Sequence, residues 1–300
     1  MIYIDKKVRS DREALEFVRA CEADFDNRLS ATIQSVIRDK NIRCITLSGP
    51  TCAGKTTAAH KLINEIESSG RLAKIISIDD FFYGSGEVDV LDKSIDYDSI
   101  AAIDLDYFGV CVKDLMEGRR TMLPHYDFKA RMRSGLTEHI LRKNEVLIFE
   151  GIQAVYPEVT CLLEEYAYKS IFVNVIDDVS VSGVAFSPND IRLSRRIVRD
   201  SKFRAASPEF TLYVWDNVRR NEEHNIFPYV SDDTYFLDSF QPYELFMIGQ
   251  YVIPLLETVP KGSPCFAAAR DLHQRFCAIR GCEISPSCLS VDSLYHEFLG

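Results

Sequence analysis

Apolar positions along this chain follow two rhythms that take turns. Leu15, Val18, Phe25, Leu29, Ile33 and Ile37 recur near helical spacing, which predicts an amphipathic helix over residues 11–40 packed on the main body. Short, mostly apolar runs follow at residues 42–47, 73–78, 146–149 and 171–175. Such runs read as strands buried on both faces. Helical periods lie between them, to about residue 69 and over residues 100–116, and further ones follow at 188–201, 208–223 and 243–257. Strand and helix in alternation predict an α/β fold, a mainly parallel sheet covered by helices on both faces. Residues 121–141 interrupt the alternation with an extended excursion, and the tail from Ser263 reads as helical at first and irregular later. No repeat, low-complexity tract or clear linker divides the chain, so the expectation is a single domain over 1–300. It comprises a helical extension at about 1–40, a core at about 41–258 and a helical tail at about 259–300.

Composition narrows the ligand. Hydrophobic residues make up 46% of the 300, enough for a sizeable core. A formal net charge of -10 exerts no general pull on nucleic acid or anionic lipid, so neither is expected as a partner. A phosphate ligand must then be met by a local cluster of cations, and is expected to be small. Cys21, Cys44, Cys52, Cys111, Cys161, Cys265, Cys277, Cys282 and Cys288 form an odd set of nine with no CxxC pair, which predicts reduced thiols in a cytoplasm. The N-terminus carries charges where a signal peptide needs an apolar run, and no segment approaches the ~20 apolar residues that cross a bilayer. A soluble cytoplasmic protein is expected.

One stretch carries most of the chemistry. Gly49, Pro50, Thr51, Cys52, Ala53, Gly54, Lys55 and Thr56 satisfy GxxxxGK[ST], with an apolar run before them and a helical period after, and Thr57 extends the pattern. A loop that wraps backbone N–H groups around phosphate oxygens needs glycine where the chain turns tightly, and the following helix points its positive end at the same anion. Lys55 then reaches the β and γ phosphates and the Thr56 hydroxyl can ligate Mg²⁺. The stretch predicts a nucleoside triphosphate ligand, ATP or another NTP, with Mg²⁺, in a P-loop NTPase three-layer fold.

Acids and arginines surround it in sequence. KIISIDDFFYG brings Asp79 and Asp80 to the carboxyl end of a strand, where ligands bind in open α/β sheets, and either could accept a proton from an attacking hydroxyl. EVLIFEG delivers Glu150 in the same way, suited to hold Mg²⁺ directly or through water. Helix capping or turn formation is the competing reading of Asp80 and Glu150. In NDIRLSRRIVRDSKFR, a helix opened by Pro188 places Arg192, Arg195, Arg196 and Arg199 at i, i+3, i+4 and i+7, one nearly continuous basic face. A lid closing over transferring phosphate would use such a face, and a solvated charged surface is the alternative.

Taken together, GPTCAGKTT, SIDDFF, the PHYDF at Pro124, LIFEGI and RLSRRIVRD resemble the uridine/cytidine kinase and phosphoribulokinase group of P-loop kinases, in order, over about residues 42–257. The likeness extends to a bacterial uridine-kinase-like branch through RRIVRDSKFR, VRRNEEHNIFPY and the terminal HEFLG. In that branch the kinase often follows a domain similar to the N-terminal domain of threonyl-tRNA synthetase, and the present chain is read as lacking it. The resemblance implies transfer of the ATP γ-phosphoryl to a hydroxyl of a nucleoside or similar small acceptor. It implies that Asp79 is the general base near Mg²⁺, and that Asp98, with Asp96 close enough to compete, binds the ribose hydroxyls. Tyr126 would face the nucleobase, and Arg196, Arg199 and Arg204 would close on the triphosphate. Arg131 stands where uridine kinases carry a base-contacting histidine, and Ala206 where they carry a further lid arginine. An arginine there would suit a more anionic or differently shaped acceptor.

Two rival readings follow: a kinase of another small hydroxyl compound, such as a sugar phosphate or a pantothenate-like acid, and a nucleotide-sensing protein with little turnover. A homo-oligomer is compatible with the helices at either end. Cys52, beside Lys55 and a helix N-terminus, is expected to have a lowered thiol pKa. His273, Cys277, Cys282 and Cys288 match no standard zinc spacing and read as packing. Arg219 and Arg220 read as ion-paired to Glu222 or Glu223.

Overall fold

The computed structural model describes residues 1–5, 8–84, 99–279 and 284–300. In chain order the strands are β1 (Ile2–Ile4), β2 (Cys44–Ser48), β3 (Leu72–Ser77), β4 (Thr121–Asp127), β5 (Met132–His139), β6 (Glu145–Glu150), β7 (Tyr168–Asn174), β8 (Val179–Val181), β9 (Val184–Phe186) and β10 (Tyr235–Asp238). The helices are α1 (Asp11–Ile37), α2 (Lys55–Ser68), α3 (Leu105–Met116), α4 (Pro157–Thr160), α5 (Pro188–Phe203), α6 (Pro208–Asn225), α7 (Glu244–Glu257), α8 (Phe266–Ala278) and α9 (His296–Leu299).

Among the described residues, β10, β7, β2, β6 and β3 pair in that order, all parallel. Successive side chains of a strand point to opposite faces, and here both faces are covered. Ile45, Leu47, Val146, Ile148, Ile171 and Val173 share one core with α1, α2, α5 and α7. Cys44, Leu147 and Phe149 share another with α3 and the β4–β5 hairpin. Two-sided burial is why the central strands read as mostly apolar runs. The excursion at 121–141 is that antiparallel hairpin. The predicted helix over 100–116 begins later, at Leu105, where the Asp104 side chain accepts from the Tyr107 N–H; residues 100–102 form a 3-10 turn.

The helix carrying the basic motif starts where the sequence places it. Pro188 occupies its first turn, and Ser187 and Asp190 cap each other reciprocally. Two of the four arginines of its basic face are buried and neither solvated nor free to act as a lid, which corrects the expectation for them. Arg192 and Arg195 are 1% and 0% exposed. The Arg192 guanidinium donates to both Glu222 oxygens at 2.7 Å, and Arg195 donates to Glu244 at 2.5 and 2.8 Å. The same two groups donate to the backbone carbonyls of Thr51 and Cys52, each at 3.1 Å. Arg192 lies over the Trp215 ring, and Arg195 over the rings of Tyr295 and Phe298. An i, i+3 spacing marks one side of a helix but not whether that side meets water or the interior, and here it meets the back of the glycine-rich loop.

Breaking a buried pair leaves an uncompensated charge and costs about 3–5 kcal/mol. Glu244→Gln is therefore expected to lower unfolding stability by about that amount in urea titrations. A loss under about 1 kcal/mol would mean that Arg195 does not depend on Glu244.

Candidate active site

Register brings the chemistry to one edge. Leu47 and Ser77 both pair with Glu150, so the end of β2, the end of β3 and Glu150 lie side by side at the carboxyl edge of the sheet. This is where ligands sit in open α/β folds. The glycine-rich loop leaves β2 here, α2 starts at Lys55, and Asp79 and Asp80 sit in the 3-10 turn (Ile78–Phe81) that follows β3.

The loop's shape explains its glycines. Gly54 has φ +90°, a left-handed conformation that L side chains rarely adopt. A Cβ on Gly49 would stand 2.1 Å from the Val173 carbonyl oxygen, so nothing larger than glycine fits against β7. Gly54 offers α2 no side-chain cap, which leaves the first amides of that helix to an anion. Lys55 folds back on the loop, its Nζ donating to the carbonyls of Gly49 at 2.9 Å and Pro50 at 3.2 Å. The Thr51 N–H donates to Glu222, so the Arg192 counter-ion also holds the loop. Ala53 is buried beneath it, Thr56 is exposed and Thr57 half-buried.

Burial pushes the Glu150 carboxyl above its ordinary range; Lys55 pulls it back, and Glu297 and Asp80 push it up further. Glu150 thus shares an electrostatic neighbourhood with the P-loop lysine. Cys52 goes the other way from expectation. It is 3% exposed, and burial raises its thiol pKa more than the nearby Arg199 lowers it. The lysine and helix N-terminus were the visible signals; burial was not visible in sequence, and it dominates.

Asp80 accepts from the Tyr126 backbone N–H at 2.9 Å and lies 3.9 Å from His125 Nδ1, so it fastens the hairpin to the sheet edge. Tyr126 is buried, its ring edge-on to Phe82 and Phe128. Arg131 lies exposed in the hairpin turn with φ 53°. Arg133, which sequence reasoning passed over, donates to Asp104 at 2.8 Å and to the Phe81 carbonyl at 3.3 Å, tying the second hairpin strand to the same turn. Asp96 and Asp98 lie outside the described residues.

On the other flank, Arg196, Arg199 and Arg204 converge on one carboxylate. Arg196 Nε lies 3.2 Å and Arg199 Nη2 2.7 Å from Asp200, whose side chain is 6% exposed, and Arg204 Nε lies 3.6 Å away. Ala206 donates its backbone N–H to the Asp200 carbonyl. Arg219 pairs with both Glu222 and Glu223 as expected, whereas Arg220 donates to Asn217 and the Asp216 carbonyl. Glu222, Glu244 and Glu297 were missed as parts of this site. Glu222 offered a partial signal as an acid near arginines, while the other two are joined to it only by the fold.

A family model described as "Phosphoribulokinase / Uridine kinase family" matches residues 44–239. The uridine kinase of Lactobacillus johnsonii is 28% identical over 166 residues, 55% of this chain and 71% of that protein. The uridine-cytidine kinase B of Dictyostelium discoideum is 32% identical over 174 residues, 57% of this chain and 64% of that protein. A solved structure from Silicibacter sp. TM1040, named for a fructose transport system kinase, is alike in fold. It has a TM-score of 0.52 at 17% identity, over 69% of this chain and 98% of that one. With its cradle, its edge acids and its flanking arginines, the chain belongs to the phosphoribulokinase/uridine kinase family, and is by that membership a phosphotransferase acting on a hydroxyl acceptor.

Proposed function

We propose that this enzyme transfers the γ-phosphoryl group of ATP to a hydroxyl of a nucleoside, uridine or cytidine, or of a similar small acceptor. The observation that carries the reading is the shared carboxyl edge: a loop that only glycine can form at residues 49 and 54, in register with Glu150 and the turn bearing Asp79. A loop that turns this tightly at its glycines is what a triphosphate needs in order to meet backbone amides. The exposed Thr56 hydroxyl and the carboxylates of Glu150 and Asp79 are hard oxygen donors of the kind Mg²⁺ takes. When bound, the ion would neutralise charge on the transferring phosphate.

The loose transition state of phosphoryl transfer spreads charge over oxygens, so the residues act by positioning and neutralisation. Backbone amides of the loop and of the first turn of α2, from Gly54 to Thr57, hold the phosphates. Lys55 exchanges its loop carbonyls for β and γ oxygens. Arg196 and Arg199, gathered by Asp200 on the flank of the cradle, stabilise the charge that develops, and Arg204 adds to the nucleotide contact. Asp79, in the turn at the carboxyl edge, accepts the proton of the attacking hydroxyl. Asp98 and Tyr126 would hold the acceptor. The exposed Arg131 favours a second reading, an acceptor carrying its own anionic group, such as a sugar phosphate.

Asp79→Asn is expected to reduce kcat by on the order of 10²-fold or more with the affinity for a non-hydrolysable ATP analogue retained; wild-type turnover would remove Asp79 from the role of base. With labelled ATP and a panel of acceptors, label is expected on uridine or cytidine. Label confined to phosphorylated sugars would select the second reading, and ATP binding with no labelled acceptor would refute both.

A further inference from the structure

The C-terminal segment reaches back 240 residues to the phosphate cradle. Leu294 is fully buried, and its Cδ1 would stand 2.4 Å from a Cβ built on Gly54, so this side chain lies directly on the left-handed glycine of the loop. Three residues on, the half-buried Glu297 carboxylate lies near the backbone N–H of Thr57, in the first turn of α2, and within the fields of Lys55, Arg199 and Arg195. These amides and cations are the groups that a nucleotide's phosphates require. Glu297 is poorly satisfied there: its Oε2 is buried with no hydrogen-bond partner. Lys55 gives its protons to the loop carbonyls instead.

We propose that the C-terminal segment is a built-in plug on the nucleotide site, with the Glu297 carboxylate standing in for a phosphate that ATP must displace. This rests on the nucleotide-binding reading above.

The segment has the anchors of a docked ligand rather than a loose tail. Phe298 and Tyr295 are buried and lie against the Arg195 guanidinium, and Tyr295 donates to Glu244 at 2.6 Å. Lys202 donates to the Leu299 carbonyl at 2.6 Å, and Lys61 holds Asp292 at 3.1 Å. The weak point is the carboxylate. Burial pushes its pKa up, although Lys55, then Arg199 and Arg195, favour the charged form. A buried acceptor left unpaired is costly, whereas a phosphate brings more oxygens and more charge to the same donors. Nucleotide and Glu297 therefore compete for one set of groups, and the measured affinity for nucleotide is the intrinsic affinity reduced by the fraction of molecules with the plug withdrawn.

The test is calorimetric titration of a non-hydrolysable ATP analogue with Mg²⁺ into the full chain and into Glu297→Gln, which keeps the shape and removes the charge. The Kd is expected to fall on the order of tenfold in the variant. Hydrogen exchange on the wild-type protein provides a second measurement that needs no variant: amides of residues 284–300 are expected to exchange faster when the analogue is bound. An unchanged or weaker Kd in the variant, or a tail whose exchange slows on binding, overturns the plug while leaving nucleotide binding in place. Folded protein that binds the analogue in neither form overturns the nucleotide reading, and the plug with it.

Discussion

A loop that turns its N–H groups toward an anion turns its carbonyl oxygens the other way, and buried carbonyls need donors. Everything at this site depends on how that need is met. Lys55 serves the carbonyls of Gly49 and Pro50, Arg192 serves Thr51, and Arg195 serves Cys52. Guanidinium groups with essentially no exposure can do this only if their charge is balanced, which makes Glu222 on α6 and Glu244 at the start of α7 parts of the loop in all but sequence. The Thr51 N–H to Glu222 bond closes the circuit.

One helix thereby has two jobs. The inward side of α5 braces the cradle from behind, while Arg196 and Arg199, still in reach of solvent, are gathered by Asp200 beside it. The acceptor side is braced similarly. Asp80 and Arg133 fasten the hairpin to the turn after β3, beside the acid proposed as the base. The braced cradle also explains how the C-terminal segment can dock: Tyr295 and Phe298 pack on the guanidinium that holds the loop.

The phosphate loop was legible because its eight residues are contiguous and each answers a local demand. The parallel sheet was legible because burial on both faces of its central strands leaves mostly apolar runs. Two kinds of feature were not. β10, β1, β8 and β9 are strands of four residues or fewer, too short to show a rhythm, and the partners of β10 and β1 lie far away in sequence. The arginine stripe was visible, but its direction was not, since it is fixed by acids 30 and 49 residues further on. Cys52 failed for the same reason: nearby charges can be read from the chain, whereas burial is a property of the fold. Glu297 carries no local mark, and only the folded chain brings it to Thr57.

The brace can be tested apart from the fold, because replacing a buried ion pair by apolar side chains of similar volume is often neutral for stability. The measurement is the affinity of a non-hydrolysable ATP analogue for the double variant Arg195→Met, Glu244→Leu, made and compared in the Glu297→Gln background because Tyr295 and Phe298 anchor the C-terminal segment on the same pair. With Cys52 deprived of its donor, affinity is expected to fall by about tenfold or more, about 1.4 kcal/mol, while the protein stays folded. Undiminished affinity in a folded double variant would contradict the claim that these buried charges hold the cradle in its binding shape.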